Sequence, residues 1–289
     1  MDKKFIYKQQ NKRDMLLLLM AQQEFYNKAK KILYIGIILS TIGTAAFAVL
    51  TTKCSSDTVN ALSILFSMIL LAVNFCCGII SNNLKEIGAK IQQTFDVKLY
   101  GMHMNFGILN RDDIANVTAD YASLDLKKVE NWYSDYYSLS ISEQIFHCQQ
   151  ENIRWDGKLR KNYLWFNIAA CMILSVAILL IAILAKSSLF QFFAMLAWAI
   201  PIWQFFLNQC KDIYCDLGTL KELKNEYELI LNNKVNYSDS ELYAQLETLQ
   251  SFIFDHRKKA VLIPNWFYRC FQRKFQTHED AIALQHKKK

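Results

Sequence analysis

Residues 145–163 read IFHCQQENIRWDGKLRKNY, and residues 164–185, which follow without a break, contain no charge at all. A charged helix that runs straight into an apolar stretch long enough to cross ~30 Å of hydrocarbon reads as a membrane span with an extension on one side. As a helix, the stretch puts Asn152, Asp156 and Arg160 at i, i+4 and i+8 on one face, with Asp156 before Arg160 in the favourable order for an ion pair. Trp155, Leu159 and Tyr163 form a second stripe at the same spacing. Two readings stay open. One is a juxtamembrane helix whose basic residues mark the cytosolic face and whose aromatics sit at headgroup level. The other is a switch, centred on Asn152 and Asp156, that carries a cytosolic event into the bilayer.

Outward from there, a mean hydropathy near zero averages over unlike parts. Residues 32–52, 61–80, 164–185 and 189–207 are apolar and uncharged, and each approaches or reaches span length. Without water to satisfy peptide groups, each must be helical. They pair into two hairpins. Of 33 Lys and Arg, 8 precede the first span, 10 lie between residues 78 and 163, and 13 follow residue 207, leaving only Lys53 and Lys186 in the short loops. The positive-inside rule then puts both termini and the central segment in the cytosol. The expectation is an all-α polytopic membrane protein, with four transmembrane helices in two hairpins and a helical cytosolic domain. That domain is built from an N-terminal arm (1–31), a central segment (81–163) and a C-terminal tail (208–289), flanking hairpins at 32–80 and 164–207. The net charge of +7 is mainly a topology signal, so DNA or RNA binding is not expected.

Several local patterns support helices. The apolar run after Asp14 is too short for a signal peptide and reads as a retained helix leading into the first span. Leu84, Ile87, Ile91 and Phe95 keep one apolar face beyond the second span until Gly101 and Gly107 interrupt it. Asn110 reads as a helix start, and a further short helix is expected near 125–133. Ile213, Leu217, Leu220, Leu223, Tyr227 and Ile230 form a stripe that wants a partner. Ser238 with Glu241 is a capping-box signature before Leu242, Leu246, Leu249 and Ile253, and Pro264 stops the next run.

The second span carries Asn60, Ser63, Ser67 and Asn74 on one side. Such a stripe faces protein or water, so it either packs helices or, in an oligomer, lines a pore through Ser63, Ser67 and Asn74. Gln191, Pro201 and Gln204 mark the fourth span, where Pro201 is expected to kink the helix.

Catalytic chemistry is scarce. The 8 cysteines imply no disulfide framework, Cys54 alone lying in an outward loop, and Cys210 with Cys215 lacks zinc-knuckle spacing. The 5 histidines are scattered, and there is no phosphate-binding Gly-rich loop or nucleophile elbow. No enzyme, metal or cofactor is expected.

Residues 11–31, with the pattern Ala-Gln-x-x-x-Tyr-x-x-Ala-Lys, together with IQQTFD at 91–96, Asn131-Trp132-Tyr133, residues 148–163, and a late stretch at 253–268 with Arg257 and PNWFY at 264–268, resemble the bacterial four-transmembrane effectors associated with SMODS-type nucleotide cyclases. The motifs span nearly the whole chain. The resemblance implies a membrane effector of CBASS-type antiphage signalling in the bacterial inner membrane. A partner cyclase makes a cyclic oligonucleotide, and the effector, as a homo-oligomer, compromises the membrane and causes abortive infection. Phosphates want Arg or Lys and bases stack on aromatics, so Arg154, Trp155, Lys158, Arg160, Trp132 and Arg257 have the right chemistry for such a ligand. A scaffold or sensor that anchors without forming a pore is the competing reading.

Overall fold

In the computed structural model, which describes residues 5–53, 56–121, 123–186 and 188–287, the described chain is helical and contains no strand. Its main elements are α1 (Phe5–Gln9), α2 (Arg13–Lys53), α3 (Asp57–Tyr100), α4 (Arg111–Ala119), α5 (Ile141–Leu184), α6 (Leu189–Asn233), α7 (Asp239–Lys259) and α8 (Asn265–Lys287). The Cys54 loop and the side chains of Asn60, Gln191 and Pro201 lie outside the described residues.

Local chemistry sets the helix ends. Asp14 lies in the first turn of α2, where its charge complements the helix dipole. Helix α3 stops where Gly101 takes φ +68, a left-handed conformation that glycine adopts without a Cβ clash. Asn110 caps α4 by accepting from the Asp113 N–H at 2.8 Å, and Ser238 and Glu241 close a reciprocal capping box on α7. Ser140 and Glu143 make the same exchange at the start of α5. The short helix expected near 125–133 is a single 3-10 turn, Leu126–Val129, after which Asn131 turns with φ 54. Its length fits the geometry, since 3-10 turns are rarely extended.

The chain divides into two compact units. The first comprises Met1–Asn27, Leu84–Lys161 and Cys215–Lys289, and the second Lys28–Asn83 and Asn162–Tyr214. The first unit has a conventional apolar core that includes Leu18, Leu19, Phe95, Tyr133, Ile145, Leu246 and Leu249, all at or near zero exposure. The stripes read from the sequence face inward: Leu220, Leu223, Tyr227 and Ile230 of α6 and Leu242, Leu246, Leu249 and Ile253 of α7 are buried. Phe146 stacks on Tyr227 with ring centroids 4.1 Å apart.

The second unit is apolar outside as well as inside. Leu71, Phe75 and Ile173 are each about 70% exposed and Leu184 82%. Among the described residues, α3 and α5 are long and apolar enough to cross a membrane. The apolar stretches of α2 and α6 include side chains outside the described set. Within the unit, α2 and α3 approach closely at two glycines seven residues apart. A Cβ on Gly36 would sit 2.8 Å from Cys77 Cβ and 3.1 Å from Asn74 Oδ1, and one on Gly43 would strike the Leu70 side chain. Small residues of this kind let spans pack backbone to backbone. Ser81 Oγ adds a bond from α3 to the Ala29 carbonyl of α2 at 2.9 Å.

Candidate functional site

Four helices carry the chain between the two units, crossing after Asn27, Asn83, Lys161 and Tyr214. On the first-unit side of every crossing a side chain is hydrogen-bonded to one short segment, residues 259–265, which joins α7 to α8. Asn265 Nδ2 donates to Asn27 Oδ1 at 2.6 Å on α2. Lys85 Nζ, on α3, donates to the carbonyls of Lys259 and Ala260 at 3.2 and 3.3 Å. Arg160 Nη1, on α5, donates to the Val261 carbonyl at 3.1 Å, and Asp216, on α6, accepts from the Val261 N–H at 2.9 Å. This segment, the collar, thus bonds to each of the four long helices within the first unit.

Arg160 is its hub. Its Nε donates to Asp156 Oδ2 at 3.0 Å, the i, i+4 pair expected from the sequence, and its Nη1 also reaches Asp216 Oδ2 at 2.5 Å. His256 Nε2 lies 2.8 Å from the same Asp156 oxygen. Burial pushes the Asp156 carboxyl up, but Arg160 and His256 outweigh it and hold Asp156 well below the usual carboxylate range.

A second buried network lies next to the collar, and consecutive residues of α7 connect the two: His256 reaches Asp156, and Arg257 reaches Asp96 of α3. Arg257 Nη1 donates to Asp96 Oδ2 at 2.5 Å, Gln250 Nε2 to the same oxygen at 3.1 Å, and the Tyr133 hydroxyl to Asp96 Oδ1 at 2.6 Å. Asn152 Nδ2 donates to the Tyr133 oxygen at 2.8 Å. Gln250 also donates to Gln93 Oε1 at 2.9 Å and accepts from Gln149 Nε2 at 3.0 Å. Burial pulls the Arg257 guanidinium down in pKa, while Asp96 and Tyr133 pull it up by more. Arg257 Nη2 and Gln93 Nε2 remain buried without a protein partner, so this network is not fully satisfied.

The remaining expected cations lie along α5 against α8. Arg154 Nε donates to Glu279 Oε1 and Oε2 at 3.0 and 2.8 Å, and Lys158 Nζ to Glu279 Oε1 at 3.4 Å. Glu279 is fully buried, whereas the Lys158 and His278 side chains are 33% and 53% exposed and meet at 3.0 Å. Trp155 packs on Tyr268 and Phe275, with centroids 4.9 and 5.3 Å away. Trp132 is partly buried against the core. Within the second unit, Ser63 Oγ donates to the Val59 carbonyl and Ser67 Oγ to the Ser63 carbonyl, both at 2.8 Å, and Asn74 abuts Gly36.

The structure thus brings Asn152, Asp156, Arg160 and Arg257 together with residues that sequence reasoning did not select: Asp96, Gln93, Gln250, Asp216 and His256. Gln93 and Asp96 belong to the IQQTFD stretch and His256 to the 253–268 stretch that carry the resemblance, but nothing local marks them as partners in these networks; Asp216 and Gln250 are joined to them only by the fold. Among the described residues no cluster of His, Cys, Asp or Glu is placed to hold a metal ion.

The segments that meet at the two networks are 91–96, 131–133, 148–163 and 253–268, the stretches that carry the family resemblance. Over residues 4–285 the chain matches the SMODS-associating 4TM effector domain. It belongs to that family. A similar protein, a probable CBASS effector molecule of Bacillus cereus (strain VD146), is 24% identical over 286 residues, covering 92% of each chain. No solved structure matches. In this SMODS-associating effector, Asp96, Tyr133, Asn152, Asp156, Arg160 and Arg257 of those stretches lie in the two networks.

Proposed function

We propose that the protein is a membrane effector of antiphage defence that responds to a cyclic oligonucleotide made by a partner cyclase and disrupts the integrity of the bacterial inner membrane. The observation that carries this reading is the collar: one seven-residue segment, 259–265, holds all four long helices, so a displacement of α7 or α8 acts on every helix at once. Membership of the SMODS-associating effector family supplies the biological setting.

In this reading α2, α3, α5 and α6 supply four spans, and the arm, central segment and tail lie in the cytosol. Arg154, Lys158, Trp155 and Trp132 meet the ligand's phosphates and bases, the partly exposed Lys158 being the first reached. Arg160 and Arg257 take part by changing partners, with Asn152 and Asp156 as the switch. A ligand shifts the spans only if it binds one arrangement of these pairs more tightly than another, and a few kcal/mol of coupling, typically ~1–3, is enough to matter. Copies of the chain then associate, and Ser63, Ser67 and Asn74 line the resulting pore.

The test is dye leakage from liposomes containing the protein, titrated with a panel of cyclic di- and trinucleotides, with Arg160→Ala alongside. Leakage triggered by one nucleotide and lost in the variant is the expected result; silence from correctly inserted protein across the panel contradicts it. A second reading, a membrane-anchored scaffold without a pore, draws on the Ser63 and Ser67 hydroxyls, which already bond to their own helix and do not require water. Ser67→Leu with Asn74→Leu separates the two, since a pore loses conductance and a scaffold keeps its partner.

A further inference from the structure

Helix α8 has one face committed to the first unit: Phe267, Phe275, Glu279 and Ala283 are buried. The opposite face of its first turns is open. Trp266 is 55% exposed, and Arg269, Arg273 and Lys274 are exposed beside it. Trp266, Arg269 and Arg273 fall at i, i+3 and i+7, which places them on one side of the helix. Across residues 256–278 there are six Lys and Arg and no Asp or Glu, so the positive charge on this side has no neighbouring acid along the chain. The start of α8 is also fixed at a particular place. Asn265 is bonded to Asn27, the last residue before α2 leaves the first unit, and Tyr268 packs on Trp155.

We infer that the outward face of α8, made of Trp266, Arg269, Arg273 and Lys274, binds the anionic headgroups of the membrane in which the second unit sits. Tryptophan combines a large apolar ring with an N–H and favours the headgroup level, and juxtamembrane Lys and Arg are drawn to acidic lipids. Both residue types occur here in a stretch, 256–278, that contains no Asp or Glu, on a helix tied to the collar. Lipid bound to this face also holds segment 259–265 in place, so membrane composition sets the position from which the collar moves. The inference rests on the membrane reading above.

The experiment uses the full-length protein in vesicles of phosphatidylcholine, with or without phosphatidylglycerol, each prepared with lipids brominated near the top of the acyl chain. Trp266 emission is taken as the difference between the unaltered protein and Trp266→Phe. Trp165, a 63%-exposed residue of the second unit, is read in the same way from Trp165→Phe. The expected result is quenching of both, with the Trp266 signal blue-shifted and more strongly quenched when phosphatidylglycerol is present. That dependence on acidic lipid is lost when Arg269, Arg273 and Lys274 are all replaced by Gln, changes confined to exposed positions. If Trp165 is quenched and Trp266 is not, α8 faces water and the inference fails while the membrane reading stands. If neither is quenched, both fail. Quenching of Trp266 that is equal in the two vesicle types, or unchanged by the triple substitution, overturns the headgroup assignment.

Discussion

The first unit keeps Gln93, Asp96, Gln149, Gln250 and Arg160 out of water at its centre, whereas the second shows Leu71, Phe75, Ile173 and Leu184 to its surroundings. Both units are built from stretches of the same helices: α3 and α5 each contribute to both. A helix with the same backbone therefore meets opposite demands along its length. In the first unit apolar burial supplies the driving force, and buried polar groups are tolerated where they pair. In the second, outward-facing Leu and Phe would be costly in water and are favourable only in hydrocarbon. The contrast shows that position along the helix, not helix type, decides which solvent each residue faces.

The sharpest way to break this contrast is to unpair the first unit's interior. Asp96→Ala leaves Arg257 as an uncompensated buried charge, and a loss of ~3–5 kcal/mol is expected in thermal unfolding of the detergent-solubilised protein. Asp96→Leu with Arg257→Met should restore most of that loss, because both charges are then gone. A double variant no better than the single one would show that the pair is not what Asp96 provides.

In the second unit the corresponding substitution is Leu71→Lys. On a surface facing water it would change stability by less than ~0.5 kcal/mol, but within a bilayer it costs ~2.5–3.5 kcal/mol. The fraction of protein recovered in the membrane reports which applies, and unimpaired insertion would count against a lipid-facing surface.

A buried carboxyl of the first unit gives a pH-dependent comparison. Burial raises the Glu151 carboxyl to about 7 from an ordinary 4.5, with the Ser134 N–H pulling it down and Glu279 pushing it up. The groups around it are Ser134, Tyr136, Arg154, Glu279 and Asp280. The native state thus holds a proton that the unfolded chain releases, so this group's contribution to stability falls as pH rises from about 4.5 to about 7. Glu151→Gln should be more stable than the unaltered protein at pH 8 by an amount on the order of 2–3 kcal/mol, with the difference shrinking toward acid. Taking the difference cancels the opposing effect of His147, whose burial lowers it to about 4. A pH-independent difference would contradict the assignment.

The smallest effect compares two glycines. Gly36→Ala forces a Cβ against Cys77, whereas a Cβ on Gly78 meets nothing within 4 Å. The first should destabilise by about 1 kcal/mol and the second should stabilise by up to about 1 kcal/mol through helix propensity. A Gly36→Ala protein that melts no lower than the unaltered one would show that α2 and α3 do not pack at Gly36.

Much of the helical framework was legible because its signals are local. The Ser238–Glu241 capping box, the Asn110 cap, the stop at Gly101 and the α6 and α7 stripes all depend on residues within one or two turns. The pairing of Asp156 with Arg160 was legible for the same reason. The rest of the site depends on distant partners: Arg257 finds Asp96 161 residues away, and Arg160 finds Asp216 56 residues away. The sequence does not show these distant acids, so Arg257 reads as a cation available to phosphate and Arg160 as one held by Asp156 alone. Helix α8 was also missed as a distinct element. Pro264 reads as a stop, and nothing local shows that of the aromatics at 266–268 Phe267 packs inward and Tyr268 packs against Trp155.

The side of the membrane on which the first unit lies decides whether a cytosolic signal can reach it. Native cysteines allow a direct measurement in sealed, right-side-out spheroplasts, using a membrane-impermeant maleimide and locating the adducts by mass spectrometry. Cys215 and Cys270 are exposed on the first unit, and Cys54 belongs to the loop expected to face outward. Cys54 is expected to be labelled in sealed spheroplasts, with Cys215 and Cys270 reacting only after permeabilisation. Labelling of Cys215 or Cys270 before permeabilisation would place the first unit outside and contradict the cytosolic assignment.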